Sequence, residues 1–260
     1  MQPFLRLRQI CLVAAELERE ARAVREIFGL QACYRDPNVA KYGLQNVLFP
    51  IGSDFLEIVA PTRPGTAAGR FLERHGGRHG YMAIFDCDDP EARGRHCASL
   101  GVRTANLIRH DAYLGVQLHP RDTGAAMIEF NRTEGGADPH GPYAPAGPRW
   151  QDAIRLERVR RLAAAEVSCP DPGALAARWS ELLERPALAS GRNRRIELDS
   201  GAIDFLEDPS AVPALTGLVL EADDVDHADR VRRAAKAEGR LDSDGAVELC
   251  GVQLRLVEPA

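Results

Sequence analysis

The sequence predicts an α+β protein of two domains, each built from a pair of βαβββ units. Three observations carry that reading. Gln9 and Glu57 are separated by nearly the same stretch of chain as His79 and Glu129, and in each pair the first residue opens an apolar strand-like run while the second interrupts another. A strand, an amphipathic helix and a group of short strands then recur four times, the mark of an internal repeat. A Gly- and Pro-rich stretch from Thr133 to Arg149 reads as an interdomain linker between the second and third copies.

In the first copy, an apolar strand at about Leu7 to Ala14 leads into a helix over Glu16 to Phe28. Leu17, Ala21, Val24 and Phe28 fall there at helical spacing and Gly29 supplies the stop. Strands are expected at Gln31 to Tyr34, Gly43 to Pro50 and Asp54 to Ala60, punctuated by Asp36-Pro37 and Gly52-Ser53. Pro64-Gly65-Thr66 suggests the start of a short connecting helix with Phe71 and Leu72 on its apolar face. The second copy has a strand at Gly80 to Phe85, a helix at Pro90 to Leu100, and strands at Arg103 to Arg109, Gly115 to His119 and Ala125 to Phe130. The third has a strand at Leu162 to Cys169, a helix at Asp171 to Glu184 and strands at Arg194 to Leu198 and Ala202 to Leu206. The fourth has a strand at Leu215 to Ala222, a helix at Val225 to Glu238, and strands at Ala246 to Leu249 and Val252 to Val257. The expected boundaries are a first domain over residues 1–132, a linker over 133–154 and a second domain over 155–260.

The chain of 260 residues is long enough for two modest cores, and its 45% hydrophobic and 27% charged residues are the balance of a soluble globular protein. A net charge of −5 argues against a broad nucleic-acid surface, and the Arg runs near Arg155 and Arg192 read as solvated faces. The six cysteines form no CxxC pair, which suits a reducing cytoplasm better than a disulfide scaffold. No secretory leader or membrane span is expected.

Two stretches carry a family resemblance. Phe55-Leu56-Glu57-Ile58-Val59-Ala60-Pro61 followed by His79-Gly80-Tyr81-Met82-Ala83-Ile84, and Leu118-His119-Pro120-Arg121-Asp122-Thr123-Gly124-Ala125-Ala126-Met127-Ile128-Glu129, resemble methylmalonyl-CoA epimerases and glyoxalase I enzymes of the vicinal oxygen chelate superfamily. The resemblance covers residues 5–132 well and 160–258 by pattern only. It implies a glyoxalase-like cradle in which the first and last strands of each unit direct ligands at a divalent metal, here Gln9, Glu57, His79 and Glu129. Glyoxalase I can use that same set, whereas epimerases more often place His first and Gln second. The corresponding positions of the later half, near Ala164, Asp204, Ala214 and Arg255, cannot hold a cation, so that half is expected to be a degenerate copy for packing, dimerisation or a lid.

The residues support the same chemistry on their own terms. Gln9 shares a strand face with Leu7, Cys11 and Val13, and Glu57 with Phe55 and Val59. Polar groups among such neighbours need a partner. Two carboxylates, an imidazole and an amide oxygen suit Zn, Ni, Co, Mn or Fe. Each residue also has an ordinary reading, as a solvent-facing Glu, a loop His or a hydrogen-bonding strand Gln. Pocket candidates are Tyr81, His119 and Arg70; His119 reads first as structural and Arg70 first as a surface ion-pair residue. The expected function is a metal-dependent lyase or isomerase acting on an enolisable carbonyl compound, with Glu57 or Glu129 moving the proton. The alternative is metal-free small-molecule binding, and a homodimer is compatible with either.

Overall fold

An apolar strand followed by an amphipathic helix ending at glycine is the opening move of the computed structural model, which describes residues 3–77 and 80–258. Strand β1 is Leu5–Val13, buried along its whole length, and helix α1 is Leu17–Phe28. Gly29 ends α1 in the left-handed conformation (φ 68°) and returns its N–H to the Arg25 carbonyl, as a glycine stop does. The strand expected at Gln31 to Tyr34 is reduced to a single bridge between Tyr34 and Leu48, because Asp36 caps a 3-10 turn over Pro37–Tyr42 instead. Strands β2 (Leu44–Ile51) and β3 (Asp54–Pro61) form an antiparallel hairpin. Helix α2 (Ala67–His75) starts where Thr66 accepts from the Gly69 N–H at 2.9 Å.

The second copy follows as β4 (Met82–Cys87), α3 (Pro90–Ser99), β5 (Thr104–His110), β6 (Tyr113–Leu118), the one-turn helix α4 (Pro120–Thr123) and β7 (Met127–Thr133). The later half contains β8 (Arg161–Cys169), α5 (Pro172–Leu183), β9 (Ala187–Ser190), β10 (Asn193–Glu197) and β11 (Ala202–Glu207). It ends with β12 (Ala214–Glu221), α6 (Val225–Ala237), β13 (Val247–Leu249) and β14 (Val252–Val257). Two mixed seven-stranded sheets result, in the orders β2-β3-β1-β4-β7-β6-β5 and β13-β14-β12-β8-β11-β10-β9. The fold is α+β, with one sheet from each half of the chain.

Contacts divide the chain into two compact units. The first takes the chain up to Gln9, Met82–Ala144 and Ala164–Leu215. In it β7 lies between β4 (parallel) and β6 (antiparallel), and α3 packs on α5. That packing is polar as well as apolar: Arg178 donates to the Leu100 carbonyl at 3.1 Å and Arg93 to the Leu183 carbonyl at 3.3 Å. Trp179, fully buried, donates its indole N–H to the Thr123 carbonyl at 2.8 Å.

The second unit takes Ile10–Tyr81, Pro145–Ala163 and the chain from Thr216. Here α1 packs on α6, and Trp150 of the linker is fully buried edge-on against Phe55 at 5.0 Å. Arg240 grips Glu20 of α1 through two hydrogen bonds of 2.8 Å. Among the described residues no helix is long and apolar enough to cross a membrane.

Candidate active site

Strand alternation and register place a set of polar side chains on one face of the sheet in the first unit. Along β7, Glu129 and Asn131 share a face, and antiparallel pairing sets Gln117 of β6 opposite Glu129 and Gly115 opposite Asn131. Glu129 is only 3% exposed. The Gln117 amide donates to its Oε2 at 2.7 Å, and the Tyr113 hydroxyl donates to its Oε1 in a short hydrogen bond. Asn106 of β5 donates to the Gln117 carbonyl oxygen at 3.2 Å, which leaves the Gln117 NH2 group turned toward the carboxylate.

A second chain of hydrogen bonds runs beside the first. The Tyr143 hydroxyl donates to Gln9 Oε1 at 2.9 Å and accepts from the Asn131 NH2 group at 3.2 Å. The guanidinium of Arg8 lies 4.9 Å from the centre of the Tyr143 ring and donates to the Pro139 carbonyl at 2.7 Å. Gln9 and Tyr143 are each 2% exposed.

Burial dominates the electrostatics. It pushes the Glu129 carboxyl above the usual carboxylate range, against the lowering effect of hydrogen bonds from Tyr113, Gln117 and Asn131. It also pushes the Tyr113 and Tyr143 hydroxyls well above the ordinary tyrosine value, assisted at Tyr113 by the neighbouring Glu129 charge. Both tyrosines are therefore proton donors rather than phenolates. A buried carboxyl held above its usual range beside neutral donors favours taking up a proton.

The second unit holds Glu57 on β3, 8% exposed. Asn46 of β2 donates to its Oε1 at 2.6 Å, and the Asn46 carbonyl oxygen in turn accepts from the Asp36 N–H at 2.8 Å. Tyr81 lies edge-on to Phe71 with ring centres 5.0 Å apart, and burial raises its hydroxyl to about 12. Arg70 is exposed and donates to the Gly65 carbonyl at 2.6 Å, at the start of its own helix. His79 lies outside the described residues. His119, expected on a strand, instead caps α4, with Nδ1 accepting from the Arg121 N–H at 3.3 Å. Pro120 explains the difference, since it is pre-set for the first helical position.

The structure thus links Gln9 and Glu129 of the first unit to residues the sequence reading did not single out: Tyr113, Gln117, Asn131 and Tyr143. Strand parity could have found three of these, since Tyr113, Gln117 and Asn131 repeat at even spacing along β6 and β7. Tyr143 carries no such signal, standing in a Gly- and Pro-rich linker.

In the later half, Asp204 accepts two hydrogen bonds from Arg195, at 2.7 and 2.8 Å. A guanidinium supplies the positive charge there.

The family resemblance in the sequence implies a divalent metal, and in the first unit Gln9 and Glu129 are oxygen donors of the kind such an ion takes. Glu129 is a buried carboxyl whose hydrogen-bond partners among the described residues are all neutral, so a cation or a proton has to balance it. Among the described residues no group of three or more His, Cys, Asp or Glu side chains could hold a metal ion.

No family model matches the sequence, and no curated protein matches it. Solved structures do. A hypothetical protein from Staphylococcus aureus aligns with a TM-score of 0.68 at 11% identity, covering 98% of this chain and 99% of that one. A mutant 4-hydroxymandelate synthase from Streptomyces coelicolor aligns with a TM-score of 0.65 at 15% identity, covering 90% of this chain and 76% of that one. At these identities the likeness shows the fold alone: an α+β glyoxalase-like fold of two mixed seven-stranded sheets.

Proposed function

We propose that the protein is a metal-dependent lyase or isomerase of the glyoxalase and epimerase kind, acting on a small enolisable carbonyl compound. The observation that carries this reading is Glu129, a buried carboxyl with a raised pKa and neutral donors on both oxygens. Of the donor set expected from the sequence, Gln9 and Glu129 of the first unit would hold the cation. A bound divalent cation supplies Lewis-acid stabilisation of the negative charge that develops on the substrate oxygen. Glu129 accepts the acidic α-hydrogen as a proton, leaving the electron pair on the enolate, and returns it to carbon to give an isomer or epimer without redox change. Tyr113 and Gln117 keep the carboxyl oriented through the transfer.

The test is exchange of the substrate's α-hydrogen with deuterated water over α-oxo acids, hemithioacetals and acyl-CoA thioesters with Ni, Co, Mn or Zn. Exchange should appear with one pair and disappear in Glu129→Gln while the protein stays folded. Metal-free small-molecule binding is the second reading, favoured by Tyr143 already holding the Gln9 oxygen that would ligate. Absence of exchange with every pair, together with tight binding of an unreacted molecule and no metal by elemental analysis, supports it over the enzyme.

A further inference from the structure

We propose that Tyr113 is a positioning residue for Glu129 and that Gly115 is the gap in β6 through which it acts, a role that rests on reading Glu129 as the proton-moving group. In the β6–β7 register Tyr113 stands opposite Thr133, while Gln117 stands opposite Glu129. Tyr113 is therefore four residues back along β6 from the position facing Glu129, with Gly115 midway and on the same face. To reach the carboxyl, its ring has to lie along the strand across position 115.

A side chain at position 115 would crowd that passage. A Cβ at Gly115 would come within 3.0 Å of Glu129 Oε1, 3.1 Å of Tyr113 Cε1 and 3.3 Å of the Tyr113 hydroxyl. Gly115 is not among the glycines with positive φ, so the backbone there would accept alanine. The glycine serves the tyrosine rather than a turn. With Tyr113 on Oε1 and Gln117 on Oε2, the plane of the carboxyl is fixed. A flexible three-torsion side chain is thereby held in one orientation, which is what a proton-transfer group or a metal ligand needs.

The test uses the whole metal-free protein. Infrared difference spectra of wild type against Glu129→Gln identify the Glu129 carboxyl band. Tyr113→Phe removes the donor but keeps the ring, and Gly115→Ala keeps the donor but closes the gap. The band should shift in both variants; an unshifted band in whichever variant folds overturns the proposal, since a merely structural tyrosine would leave it in place. Cobalt(II) titration gives the second readout, with affinity expected to fall about 10- to 100-fold in Tyr113→Phe. Equal cobalt affinity in the two proteins also overturns the positioning role. Failure of wild type to bind any cobalt would count against the metal-dependent reaction alone, and the infrared result would still decide for or against Tyr113.

Discussion

Asn46 spends both ends of its side chain, one on the Asp36 N–H and the other on the Glu57 carboxylate. Replacing it with alanine removes one buried and one part-buried hydrogen bond, at a cost of about 1–3 kcal/mol. Chemical denaturation of Asn46→Ala should show that loss as a lower midpoint at unchanged slope. The cysteines respond to burial in the opposite sense to catalytic thiols. Burial raises Cys33 and Cys87 to about 12 and Cys97 to about 11, which leaves almost no thiolate at pH 8. These three should resist iodoacetamide in the native protein and label readily in urea, as peptide mass spectrometry would show. Asp122 illustrates the acid limb. Hydrogen bonds from the Arg103 side chain and N–H hold its carboxyl well below the usual range. A depressed folded-state pKa means its contribution is fully present above the unfolded value of about 3.9 and is lost as pH falls below it. Asp122→Asn should make the acid unfolding curve shallower there.

At the scale of elements, the Glu20–Arg240 pair ties α1 to the segment after α6, with both side chains about nine-tenths buried. Removing Arg240 leaves Glu20 with only exposed Arg19, at 3.8 Å, to offset its charge, and Arg240→Met should cost about 3 kcal/mol. Calorimetry should find the double variant Glu20→Gln/Arg240→Met less destabilised than that single change, since the orphaned charge is then gone. The β2–β3 turn makes a steric prediction. Gly52 has φ of 61°, and a Cβ there would meet the Arg160 carbonyl oxygen at 2.3 Å. Gly52→Ala therefore has both strain and a backbone clash to relieve, and the thermal midpoint should fall by several degrees, since about 1 kcal/mol already moves it by 2–4 °C in a chain of this size.

At the scale of the molecule, the order of elements was legible because each helix carries its own start and stop. Asp89, Asp171 and Asp224 cap α3, α5 and α6, and Gly29 closes α1. What escaped the sequence had no local signature. β9 is an exposed edge strand, Ala187–Ser190, without apolar alternation, and the Gln31 to Tyr34 run gives way to the turn chemistry of Asp36-Pro37. The candidate ligands could be read as positions, but the hydrogen bonds that hold them could not, because Tyr113 reaches Glu129 over a glycine and Tyr143 arrives from the linker. The pairing of α1 with α6 and α3 with α5 was equally hidden, since amphipathic helices declare a face and not a partner. It has a consequence for dissection. A fragment ending near residue 154 would leave the α3 surface around Arg93 and Cys97 uncovered, both buried against α5 in the whole chain. Residues 1–154 and 155–260 expressed apart should each melt well below the intact protein and regain cooperativity on mixing.

Arg195 beside Asp204 has a further consequence for any work with chelators. A guanidinium is a counter-ion tethered by covalent bonds, permanently charged and beyond the reach of EDTA or dialysis. The Asp204 carboxylate is thus indifferent to metal supply. A loss of activity or stability that a chelator causes, and that added cation restores, therefore does not arise at Asp204.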